Sequence, residues 1–194
     1  MDNEDYLACD RRVLRGLIET LSVSLITDFP RPRVNLDDVD QLLTAVRILM
    51  PDVPEIGLFE GLLLVAKGQW MEAGLLFRTL ADSKQCYPDS KALLGYCLSA
   101  AGDPEWKVVI NEVLEADESP NATGLARLVL AQNDYTNAVQ AALQTGVFVE
   151  PQSMLDMKEE RAAKAAEAAA AANTGQHERA AQENAAASPN YLRL

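Results

Sequence analysis

Residues that could carry chemistry are few in this chain, and their spacing does not suit it. His177 is the single histidine among 194 residues. It stands in a stretch of small and polar residues, where nothing would hold an imidazole beside a nucleophile as a Ser-His-Asp or Cys-His site requires. Cys9, Cys86 and Cys97 are odd in number and form no C-x-x-C pair, so neither a disulfide framework nor a zinc site is expected. Cys97, in the middle of an apolar segment, reads as a small core residue, and Cys86, before Tyr87-Pro88, as a turn residue. Asp37, Asp38 and Asp40 lack the alternating ligands and closing glutamate of a calcium loop, and acids in the first turn of a helix complement its dipole. There is no G-x-x-x-x-G-K-[ST] loop and no strand leading into a G-x-G-x-x-G turn. The expectation is a protein that is not an enzyme, with no catalytic residue, no cofactor and no metal.

What remains is architecture, and its clearest mark is a self-match at a spacing of 34 residues. Gly61-Leu-Leu-Leu-Val-Ala-Lys-Gly68 recurs as Gly95-Tyr-Cys-Leu-Ser-Ala-Ala-Gly102. That period is the length of a tetratricopeptide unit, a helix pair that cannot bury its apolar face alone and must stack on its neighbours. The fold expected is all-α, with tetratricopeptide-like antiparallel helix pairs in a short right-handed superhelix and an Ala-rich tail helix.

The elements follow from periodicity and punctuation. Val13, Leu14, Leu17, Ile18, Leu21 and Leu25 define a first helix over Asp5 to Thr27, which Asp28-Phe-Pro-Arg-Pro-Arg33 ends in a corner. A second helix starts after the cap Asn35, carries Leu36, Val39, Leu42, Leu43, Val46 and Leu49, and closes at Pro51 and Pro54. Pro54 and Pro88 fit first helical positions. Gly68 and Gly102 fit left-handed helix ends. The returning helices carry Trp70, Ala73, Leu76, Phe77 and Leu80, then Trp106, Val109, Ile110, Val113 and Leu114. A shortened third unit is read at Asn121 to Gly146, its turn at Asn133-Asp134 overlying Gly68-Gln69 with the register offset by three residues. Beyond Pro151 the chain becomes rich in Ala, Glu and Lys. This gives a helical domain over 1–150 and a low-complexity tail over 151–194, a marginal helix from Gln152 to Ala172 and then disorder.

The formal charge is −12, from 29 acidic and 17 basic residues. From residue 151 onward six acids nearly balance five bases, so the acidity belongs to the first 150 residues. Such a surface repels nucleic acid and anionic lipid. The opening Met1-Asp-Asn-Glu-Asp-Tyr6 is acidic where a secretory leader is basic, and no apolar run is long enough to span a membrane. The compartment expected is the cytoplasm.

Function must then lie on a binding surface. In tetratricopeptide arrays the leading helices line a concave groove, which here gives Leu58, Leu62 and Val65, then Ala92, Tyr96 and Ser99, then Thr123, Arg127 and Leu130. This apolar lining suits an amphipathic helix better than a charged peptide terminus, which needs several Lys or Arg as clamps.

The segments Leu58-Phe-Glu-Gly61, Ala66-Lys-Gly-Gln-Trp70, Ala92-Leu-Leu-Gly-Tyr-Cys-Leu98 and Gly102-Asp-Pro-Glu-Trp106 resemble the Hrp-type small tetratricopeptide proteins of bacterial type III secretion, the HrpB/HrpK family. They are similar, more distantly, to the chaperones that hold the needle subunit in the same systems, a likeness that Tyr87-Pro-Asp89 shares. The resemblance covers Leu36 to Ala131. It implies a non-catalytic secretion component, a chaperone or assembly factor whose groove clamps the amphipathic helix of a needle or pilus subunit. Leu58, Leu62, Val65, Tyr96 and Leu130 would be its contacts, and a co-chaperone or self-association would complete the complex. The alternative it implies is an accessory component of the apparatus in the periplasm or cell envelope.

Overall fold

The computed structural model describes residues 10–51, 53–163 and 165–166 of the chain. Seven helices follow in order: α1 (Arg11–Ile26), α2 (Leu36–Leu49), α3 (Pro54–Ala66), α4 (Trp70–Asp82), α5 (Asp89–Ala101), α6 (Trp106–Ala116) and α7 (Pro120–Thr145). Residues 152–163 are also helical, and no strand occurs among the described residues. Contacts divide the chain into two compact units, Met1–Leu130 and Ala131–Leu194.

In the first unit each helix packs on its neighbour in sequence from α1 to α6, and α1 also reaches α3. The caps explain where the helices begin. Asp10 accepts the Arg12 amide at 2.8 Å and Asn35 accepts the Asp37 amide at 3.1 Å, each satisfying an otherwise unpaired first-turn donor. Residues before Asp10, where the first helix was expected to start, lie outside the described residues. Pro54 occupies the first turn of α3, whereas Pro88 is the cap residue that precedes α5.

The helix ends repeat with the sequence period. After α3 the Gln69 amide donates to the Leu64 carbonyl at 2.9 Å, and after α5 the Asp103 amide donates to the Leu98 carbonyl at 2.9 Å. Gly68 and Gly102 both stand at φ 76°, the left-handed conformation that lets such a bond close. The other glycine of each pair serves packing. A Cβ on Gly61 would lie 2.3 Å from Cζ of Phe77, and one on Gly95 would lie 2.6 Å from Cδ1 of Ile110. Any side chain there would push the returning helix away, so the glycine pair encodes both the turn and the close contact.

Phe77 and Ile110 are fully buried, within one core that also takes Leu21, Leu25, Val46, Val65 and Val113. Ion pairs tie successive helices at the surface. Arg47 meets Glu60 at 2.5 Å and Lys67 meets Asp40 at 2.6 Å, both linking α2 to the α3 region. Arg78 of α4 forks onto Glu105 at 3.0 and 2.8 Å, and that hydrogen-bonded cation holds the Glu105 carboxyl below its usual range.

The expected turn at Asn133-Asp134 is not there. Residues 120–145 form one continuous helix, because Asn and Asp lower helix propensity by only about 0.7 kcal/mol each and no glycine or proline intervenes between Gly124 and Gly146. The first stretch of α7 contributes Ala122, Ala126 and Val129 to the core. In the second unit, Tyr135 meets Phe148 edge-on at 6.0 Å and Ser153 donates to Asp134 at 2.7 Å. The tail beyond residue 166 lies outside the described residues.

Candidate protein-binding groove

An apolar groove of about 370 Å³ opens on the first unit. Its floor comes from Leu58 and Leu62 of α3, Ala92 and Leu93 of α5, and Ala122 and Leu125 of α7; Ile26 and Phe29 close one side, and Asp89 and Asn121 supply the polar rim. The spacing of four between Leu58 and Leu62, and of three between Ala92 and the rim residue Asp89, puts each set on one helical face. A second concavity of about 340 Å³ lies between α2, α3 and α4, but the ion pairs Asp40–Lys67 and Arg47–Glu60 are among its walls.

Of the residues expected in the groove, Leu58, Leu62 and Ala92 line it. Val65 is not among the lining residues; it is 1% exposed and packs in the core. Helix α3 buries Ile56, Phe59, Leu62, Leu63 and Val65, so it is apolar on nearly every side and its pattern cannot separate groove from interior. Tyr96 is half-buried in a ring cluster rather than along the floor. Its ring lies 5.2 Å from that of Phe29 and 6.0 Å from that of Trp70. Burial raises its phenol pKa, and nearby Arg31 opposes that shift. Ser99 is half-buried and away from the lining.

On α7, Thr123 is buried with its hydroxyl donating to Asp117 at 2.9 Å, Arg127 is exposed, and Leu130 packs against the core. The lining there is Ala122 and Leu125, which follow Asp89 and Ala92 by 33 residues. The register of α7 therefore departs from the repeat by one residue, where three had been read. Ile26, Phe29 and Leu93 were missed as well. For Leu93, adjacency to Ala92 was a usable signal; for Phe29, the contact across the fold has no local counterpart in the sequence.

Nothing in the groove resembles a reactive centre. Cys97 is buried and its thiol pKa is pushed up to about 12 by that burial; Cys86 is half-buried, and burial followed by the fields of Glu55 and Asp89 raises its thiol pKa too. No cluster of three potential metal ligands occurs among the described residues, nor does any helix there have the length and apolarity to cross a membrane.

Among known families, the model of a bacterial type III secretion protein, HrpB1_HrpK, matches residues 4–135 of the chain. None of the curated proteins and none of the solved structures compared with the chain matches it.

Proposed function

The chain belongs to the HrpB1_HrpK family of bacterial type III secretion proteins, and from that membership we propose that it binds, without catalysis, the amphipathic helix of a needle or pilus subunit and keeps that subunit monomeric before export. The observation that carries this reading is the groove of about 370 Å³, whose lining residues are apolar apart from Asp89 and Asn121. A filament subunit exposes an apolar helical stripe that drives polymerisation, and a groove formed by leading helices sequesters such a stripe by helix-in-groove packing. Binding only the monomer then opposes assembly by mass action. A chaperone of this kind acts in the cytoplasm.

The test is co-expression with the needle subunit of the same secretion system, followed by size-exclusion chromatography with light scattering. A discrete heterocomplex is expected. It should be lost in Leu58→Asp and Leu125→Asp, two half-buried groove positions, while the thermal unfolding of these variants stays cooperative. A subunit that polymerises beside a protein eluting by itself would overturn the reading in favour of an accessory component that self-associates at the envelope.

A further inference from the structure

The groove is uneven in charge. Asp89 is the one ionisable side chain among its lining residues. It lies in the first turn of α5, and Glu55 lies in the first turn of α3, 34 residues earlier. Because that separation is the repeat period, stacking the helix pairs puts both carboxylates at the same end of the array. Cys86 sits within the field of both, Glu55 and Asp89 each acting on its thiol. The Ser119 hydroxyl donates to Oδ1 of Asp89 at 3.1 Å and fixes this carboxylate at the rim. Lys91, two residues further along, does not neutralise it from the same helix: its ammonium is committed to Glu112 at 2.6 Å and lies 5.9 Å over the Tyr87 ring. Arg31 acts on Tyr96, whose ring meets Phe29 of the groove wall.

We propose that the groove selects an amphipathic helix whose apolar stripe is bordered by a lysine or arginine, placed so that the cation meets Asp89 and Glu55. The proposal rests on the helix-binding reading above and adds the chemistry of the bound segment. An apolar floor supplies affinity with little discrimination, whereas a rim of one sign steers encounter and penalises a like charge at the same place. Both carboxylates also complement the dipoles of α3 and α5. Their removal is therefore compared with removal of two first-turn acids elsewhere, Asp37 and Asp38 of α2, which reduces the negative charge equally and likewise acts at a helix start.

The experiment uses the full chain and two synthetic peptides with the same leucine stripe, one with lysine and one with glutamate at the bordering position, followed by fluorescence anisotropy. The lysine peptide is expected to bind about fivefold more tightly, the sum expected from partly exposed charge pairs. That preference should fall below about twofold near 0.5 M salt, where screening is short-ranged. It should also collapse in Glu55→Gln/Asp89→Asn and persist in Asp37→Asn/Asp38→Asn. Equal binding of the two peptides would overturn the charge selection and leave the groove reading standing. A preference retained in Glu55→Gln/Asp89→Asn would assign it to the overall acidity of the chain and likewise overturn the proposal. Binding of neither peptide would remove the helix-binding reading and this proposal together.

Discussion

Leu62 on α3 and Leu143 on α7 are the same side chain in the same backbone conformation, yet one is 5% exposed and the other 76%. The difference is in what their units provide. Leu62 sits on a helix that packs against α2 on one side and α4 on the other, where Gly61 lets Phe77 come into contact with the α3 backbone. Leu143 sits in a unit where, among the described residues, Ala131 is the one buried apolar side chain. Full burial of a leucine stabilises by about 2 kcal/mol, so the stability of this protein resides in Met1–Leu130. The second unit is held by a few local contacts such as Tyr135 with Phe148. Helicity is shared by the two units; an interior is not, and propensity alone rarely stabilises a short helix in water.

The contrast is broken most sharply at Gly61. Gly61→Ala would seat a Cβ 2.3 Å from a ring that is fully buried. Alanine gains about 1 kcal/mol of helix propensity over glycine, and overpacking costs about 1–3 kcal/mol and sometimes more. The expected outcome in urea unfolding is a net loss of up to about 2 kcal/mol. Gly16→Ala, on α1 with nothing within 4 Å of the added carbon, should instead be neutral or gain up to about 1 kcal/mol. Equal effects at the two sites would mean that α3 and α4 do not approach as closely as described.

A smaller effect sharpens the same contrast through pH. Burial holds the Cys97 thiol pKa near 12, against an ordinary value of 9.0. A raised folded-state value means that the contribution is complete below pH 9. Above it the unfolded chain releases this proton and the folded chain keeps it, so stability falls as pH rises toward 12, by up to about 1.4 kcal/mol per unit. Unfolding measured at pH 8 and pH 10 should show a steeper loss for the wild type than for Cys97→Ala. Matching slopes would remove Cys97 from the interior.

These two residues also mark what was legible beforehand. The 34-residue recurrence was enough to locate the turns, since only a left-handed residue closes the bonds after Leu64 and Leu98, and glycine adopts that conformation without strain. It carried less information about the groove. Val65 and Leu58 belong to one helix that is apolar apart from its charged positions Glu55 and Glu60, and which of them faces the opening depends on what packs above α3. Phe29, which walls the groove and touches Tyr96, lies in a proline corner whose path no periodicity describes. The polar run at Asn133-Asp134 was read as a turn by analogy with Gly68-Gln69. Without a glycine, the analogy lost the one feature that makes the turn.

The gentlest test falls on the second unit. Leu143, Val147 and Val149 are 76%, 64% and 71% exposed, so their removal takes away almost no buried surface. Leu143→Ser and Val149→Ser should shift unfolding by no more than about 0.5 kcal/mol, as surface substitutions generally do, and leave the midpoint independent of protein concentration. A loss of more than about 1 kcal/mol would require that these apolar side chains be covered in solution, because an exposed side chain has no such burial to forfeit. If that loss also faded on dilution of the wild type, the cover would be a second copy of the chain, and the apparent stability of this unit would be set by association rather than by folding. The contrast with the first unit would then be one between a core made within the chain and a core made between chains.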